Sequence, residues 1–161
     1  TPFGEKIKKA LEFFAHYAVW IPRQWIYLSR WRNYANVSPT LKKHITFIEK
    51  MGHKLARELF LAMAVHQQKL EKKQQILFRF VNIGTDLFAM AAGCSHAAYL
   101  TKQDPSEHGP EELADLFCKE AMRRIQREFH SQRKNDDKMI YKIGRKMLEG
   151  KYQWLETGIV K

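Results

Sequence analysis

From Ile76 to Leu100 the chain reads ILFRFVNIGTDLFAMAAGCSHAAYL, broken only by Arg79, Asn82, Asp86 and His96. A helix that is apolar on nearly every side belongs in a protein core or a bilayer. Roughly 20 apolar residues suffice to span a membrane, but a charge near the middle is costly there. Arg79 and Asp86 therefore direct this stretch to the centre of a soluble helical bundle. Its small residues, Gly84, Ala89, Ala91, Ala92, Gly93, Ala97 and Ala98, predict neighbours that approach closely. A carboxylate on such a helix needs a cation, and Arg79 and Arg124 are the candidates for Asp86.

The other segments are helical too. Ser38-Pro39 offers an N-cap and a first-turn proline. Behind it the seam Leu41, Ile45, Ile48, Gly52, Leu55, Leu59, Ala62, His66 alternates three- and four-residue steps. Gly52 in that seam predicts a close helix crossing. The chain turns near Gln67–Lys72 into the central helix, and Thr101–Gly109 forms a loop. Pro110, Glu111 and Glu112 open a further helix. Its expected buried side is Leu113, Leu116, Phe117, Ala121, Ile125 and Phe129, and Asp115–Lys119, Glu120–Arg124 and Arg124–Glu128 are expected i,i+4 pairs. A last helix runs from the Asn135-Asp136-Asp137 cap through Ile140, Ile143, Met147 and Leu148 to Gly150. No strand alternation and no repeat is evident, so the expected fold is an all-α, up-and-down bundle over residues 37–161.

Residues 1–36 form a separate N-terminal helical segment rich in aromatic and basic side chains. Pro22 kinks or restarts it. Trp20, Trp25 and Trp31 interleave there with Arg23, Arg30 and Arg32, and no acidic residue occurs between Glu12 and Glu49. Trp, Tyr and Arg together suit a membrane–water or protein interface, and the same aromatics would equally serve to cap the end of the bundle. The whole chain of 161 residues carries a net charge of +11, which makes an anionic partner worth testing. Nucleic acid is disfavoured, because the basic residues are spread over several helix faces without a recognition motif.

Chemistry is harder to find. Seven histidines raise the question of a metal, but a di-iron bundle wants two Glu-x-x-His motifs and neither is present. His66 and His96 read as core histidines. Cys94 and Cys118 read as small core residues of an intracellular protein rather than as a disulfide framework. Phosphate-cradling Gly-rich loops are missing, and Ser95 and His96, adjacent on a helix, diverge. The chain by itself offers no catalytic, cofactor or metal residue.

The central stretch resembles the C-terminal helical domain of acyl-CoA dehydrogenases, in which an Arg precedes a small-residue turn and an Asp-Leu-Tyr-Ala-Met-like run. The matching residues are Arg79, Gly84 and Asp86-Leu87-Phe88-Ala89-Met90, followed by Ser95 and Ala97. Val37–Val160 is similar to the second helical domain that follows the catalytic one in very-long-chain acyl-CoA dehydrogenases and their paralogue in respiratory complex I assembly. The Val37-Ser38-Pro39 start, the His66 to Asp86 spacing and Phe117-Cys118-Lys119-Glu120-Ala121 carry that similarity.

The resemblance implies a non-catalytic domain of a flavin-dependent oxidoreductase of fatty-acid β-oxidation, with FAD held by the parent and none in this chain. Neither the Gly-Gly-bearing flavin segment nor the Glu-Gly-Thr-Asn-type loop with the catalytic glutamate occurs here. It further implies docking on the remainder of the dehydrogenase chain, a homodimer formed through the parent, and peripheral attachment to an anionic membrane surface. The cytoplasmic or mitochondrial matrix side is the expected location. Trp20, Arg23, Trp25, Arg30, Trp31 and Arg32 are the expected membrane or partner contacts; Arg79, Gly84 and Asp86 are the structural residues. Beginning at Thr-Pro, the sequence reads as a piece of a longer chain. A stand-alone basic helical adaptor for a protein or another anionic partner is the competing reading.

Overall fold

The computed structural model describes residues 8, 15, 18–20, 22, 34, 37–155 and 157. Among the described residues from 37 onward, four α-helices follow one another: α1 Pro39–His66, α2 Gln74–Gln103, α3 Gly109–Ser131 and α4 Asp137–Leu148. Short 3₁₀ turns at Gln67–Lys72 and Gln153–Leu155 complete the order, with no strand among the described residues. Contacts fix the directions. Cys94 meets Cys118, Asp86 meets Arg124 and Asn82 meets Glu128, so α2 and α3 are antiparallel. Ser38 meets Glu111, His44 meets Asp115 and Glu58 meets Arg133, so α1 and α3 run the same way. This is the expected all-α, up-and-down bundle.

Local chemistry sets the helix ends. Ser38 Oγ accepts from the Leu41 N–H at 3.3 Å, one of the amide donors that a helix start leaves without an internal partner, and Pro39 needs none. At the far end of α4, Gly150 takes φ +72°. Its N–H donates to Met147 and the Lys151 N–H to Lys146, both at 2.9 Å. That is a Schellman closure, which glycine enters without a Cβ clash.

The core is a single row from each long helix. Leu41 comes from α1; Ile83, Leu87, Met90, Cys94 and Ala97 from α2; Ala114, Cys118, Ala121, Ile125 and Phe129 from α3. Each large aliphatic among these contributes about 1.5–3 kcal/mol by leaving water.

Three expectations change. The buried row of α3 is Ala114, Cys118, Ala121, Ile125 and Phe129, while Leu113 (71 % exposed), Leu116 and Phe117 face outward. At about 100° per residue, stepping by fours from Leu113 to Phe129 drifts about 160° around the helix, whereas the observed row stays within about 80°. Gly52 has nothing within 4 Å of where a Cβ would stand, so no described helix crosses closely there. Arg124 leaves both of its i,i+4 partners and donates instead to Asp86 on α2.

Candidate docking surface

α1 packs against both α2 and α3 and covers one side of that pair. Among the described residues, no helix covers the opposite side. On α2 the exposed positions between Phe78 and Tyr99 include no Lys, Arg, Asp or Glu: they are Phe78, Val81, Asn82, Thr85, Phe88, Ala91, Ala92, Ser95, His96 and Tyr99. Val81, Phe88, Ala92 and Tyr99 fall within about 40° of one another around the helix. Phe88 is 76 % exposed. Phe117 of α3 lies 3.9 Å from the Cβ position of Gly93, so α3 continues the same surface with Leu113 and Phe117. α2 is thus buried on one face and bare on the other, and His96 is an exposed residue of the bare one. The helix is long and apolar enough to cross a membrane by length and composition. Its two interior charges, Arg79 and Asp86, however, each meet a partner on another part of the bundle.

Those ion pairs edge the surface. Arg124 donates Nη2 to Asp86 Oδ1 at 2.7 Å and Nε to Oδ2 at 3.1 Å, and its guanidinium lies 5.9 Å from the centre of the Phe117 ring. Arg124, not Arg79, is therefore the cation of Asp86. Arg79 donates to both oxygens of Asp137, at 2.8 and 2.5 Å, and ties the first turn of α4 to the bundle. The Arg79 hydrogen bonds hold the Asp137 carboxyl below the usual carboxylate range. Gly84 faces α1, with Leu55 Cδ2 3.9 Å from its Cβ position.

Behind the surface, buried His44 places Nε2 2.8 Å from Asp115 Oδ1. Asp115 is kept low first by its hydrogen bond from Lys119 and then by His44. His44 gave no sequence signal beyond its position beside the α1 seam. The Cys94 and Cys118 sulfurs are 3.6 Å apart in the core; burial raises both thiols, Cys118 to about 12.

Of the expected contact residues, Trp20 is half-buried with its ring 5.8 Å from that of Phe60 on α1. Arg23, Trp25, Arg30, Trp31 and Arg32 lie outside the described residues. The exposed apolar residues that periodicity missed are Leu113, Leu116 and Phe117, together with the outer side of α2. The signal available for them was the long uncharged run itself.

An open polar cleft of about 440 Å³, lined by Asn82, Thr85, Asp86, Arg124, Arg127 and Glu128, does not suit FAD. Its two carboxylates would repel a pyrophosphate, and Arg124 is already committed to Asp86. No group of three His, Cys, Asp or Glu side chains among the described residues is placed to hold a metal.

Comparison with known proteins identifies the family. The family described as "ACAD9/ACADV, C-terminal domain" matches residues 39–152. Proteins named "Probable acyl-CoA dehydrogenase FadE10" from Mycobacterium bovis and Mycobacterium tuberculosis are 37 % identical over 145 residues. That alignment covers 89 % of this chain but only 22 % of those relatives, so the chain spans about a fifth of their length. No solved structure matches it. The matched span contains α1 to α4, including the Asp86–Arg124 and Arg79–Asp137 clasps, and the chain belongs to the C-terminal helical domain family of the ACAD9/ACADV-type acyl-CoA dehydrogenases.

Proposed function

We propose that this domain is a non-catalytic docking and membrane-surface module of a flavin-dependent, very-long-chain-type acyl-CoA dehydrogenase of fatty-acid β-oxidation. The parent chain holds FAD and carries the reaction; this domain positions it. The observation that supports the reading is the bare side of α2 and α3. An exposed helix face that runs from Phe78 to Tyr99 without a charged side chain is unlike a solvated surface in a chain with 28 % charged residues. Protein–protein interfaces are depleted in charge at their centre and enriched in aromatic side chains, which is the character of Phe88, Tyr99 and Phe117. The remainder of the dehydrogenase chain is the partner, and a homodimer formed through that parent brings two such modules together. Attachment to an anionic membrane surface on the cytoplasmic or mitochondrial matrix side is the second part of the role, with Trp20–Arg32 as one contact segment.

The test is a native isolation. Protein captured by an antibody to this domain should show flavin absorbance and acyl-CoA dehydrogenation, while the 161-residue chain alone shows neither. Within the parent, Phe88→Glu with Leu116→Glu should expose the domain to rapid proteolytic release. Both positions are already exposed in the isolated domain, so its melting temperature should not move. Stoichiometric flavin on the isolated chain, or unchanged proteolysis in the doubly substituted parent, would refute the docking role.

A further inference from the structure

The exposed run of α2 from Phe78 to Tyr99 is uncharged, but α4 has a different chemistry that the docking role does not absorb. No residue of α4 is buried. At about 100° per residue, Met139, Ile140, Ile143 and Met147 share a sector of about 100°, and Lys138, Lys142, Arg145 and Lys146 share an opposing sector of similar width. Leu148 is 91 % exposed, and Trp154, on the 3₁₀ turn that follows, is 67 % exposed. Of the acidic residues nearby, Asp137 is engaged by Arg79, and Glu149 by Lys151 at 2.7 Å and by Arg145 at 3.8 Å, which leaves the lysines of the basic sector outside those pairs. Among the described residues, the polar tie from α4 to the rest of the bundle is the Arg79–Asp137 clasp at its first turn.

An apolar sector beside an uncompensated row of lysines, closed by an exposed tryptophan, suits an interface of hydrocarbon under anionic headgroups. A protein interface would have less reason to border its apolar centre with a row of lysines, which interfaces deplete. We infer that α4 with Trp154 is a lipid-facing helix that lies on anionic bilayers, separate from the Trp20–Arg32 segment. This rests on reading the domain as membrane-associated, but assigns that role to a helix of its own.

The 161-residue chain is mixed with phosphatidylcholine vesicles with and without phosphatidylglycerol and separated by flotation. The chain should float with the anionic vesicles and far less with the neutral ones. Lys138→Gln, Lys142→Gln and Lys146→Gln together should weaken binding by on the order of 100-fold, at about fivefold per cation. Raising salt from about 0.1 M to about 1 M should mimic that loss. Ile140→Ser with Leu148→Ser should lower flotation on both kinds of vesicle, with an unchanged thermal melt because both side chains are already more than half exposed.

A wild-type chain that does not float on anionic vesicles overturns both this inference and the membrane part of the proposed function, and leaves docking standing. Flotation unchanged by the α4 substitutions but lost on Trp25→Ala with Trp31→Ala overturns this inference alone. If the serine variant instead turns a dimer into a monomer by light scattering while vesicle binding is kept, α4 is a contact between copies and the inference fails.

Discussion

The Arg79–Asp137 clasp offers a sharp test, because its two ends have different surroundings. Arg79 emerges from the apolar central helix with its side chain 12 % exposed, and Asp137 sits at 23 % on the first turn of α4. Removing one member of a fully buried pair costs about 3–5 kcal/mol, chiefly through the charge left behind. Water reaches Asp137 in part, so Asp137→Ala should cost less, about 2–3 kcal/mol. Arg79→Met should cost only about 1 kcal/mol, because the orphaned carboxylate remains at a helix N-terminus, where amide donors and the helix dipole favour it. The double variant should fall short of the sum, and urea unfolding of all four proteins gives the coupling directly.

The same clasp sets a pH dependence. Its Arg79 hydrogen bonds lower the folded Asp137 below its ordinary value of 3.8. The associated stability is therefore complete above the unfolded carboxylate range and is lost as pH falls below about 4 through the folded value. Asp137→Ala should flatten that acid limb, and Asp115, lowered by Lys119 and His44, should supply part of what remains. Strictly additive single costs, or an unchanged acid limb, would refute the assignment of this pair as the tie that holds α4.

Three further outcomes follow from individual contacts. Asp86→Ala should cost about 1 kcal/mol in urea unfolding rather than the 3 or more of a sealed pair, since Arg124 is 42 % exposed and can hydrate once released. Gly52→Ala should raise stability by about 0.5–1 kcal/mol, because its Cβ meets nothing within 4 Å and alanine loses less entropy in a helix; a loss would mean that another segment packs there. Cys94 and Cys118, buried and with Cys118 raised to about 12, should resist a thiol reagent at pH 8 until the chain is unfolded. Fast labelling of the native protein would show that α2 and α3 separate readily.

Helix existence and ends were legible because they rest on local chemistry: Ser38 and Pro39 at one start, Gly150 at one stop, and long apolar rows between. Membership of the family was legible from Asp86-Leu87-Phe88-Ala89-Met90 and Phe117-Cys118-Lys119-Glu120-Ala121, which carry type and spacing together. Coverage was not. The apolar circumference of α2 is a property of its sequence, but whether Phe88 and Tyr99 are covered depends on how many helices surround it, and the described ones enclose only one side. The α3 row failed for a geometric reason, since steps of four drift around a helix and traded Ala114 and Cys118 for Leu113 and Phe117. His44 was missed because its role depends on Asp115, 71 positions away.

The uncovered α2 face also bears on how the chain behaves as a colloid. The chain carries a net charge of +11, and none of it comes from the exposed positions between Phe78 and Tyr99. Two molecules approaching by those faces are held apart by repulsion acting from a distance. That repulsion reaches about 10 Å at 0.1 M salt and about 3 Å at 1 M. Dispersal of the isolated domain is then a matter of ionic strength: dilute buffer keeps it monodisperse, while concentrated salt removes the barrier and lets the adhesive sides meet. Turbidity that rises with salt and reverses on dilution would be the visible sign, as it is for a charge-stabilised sol.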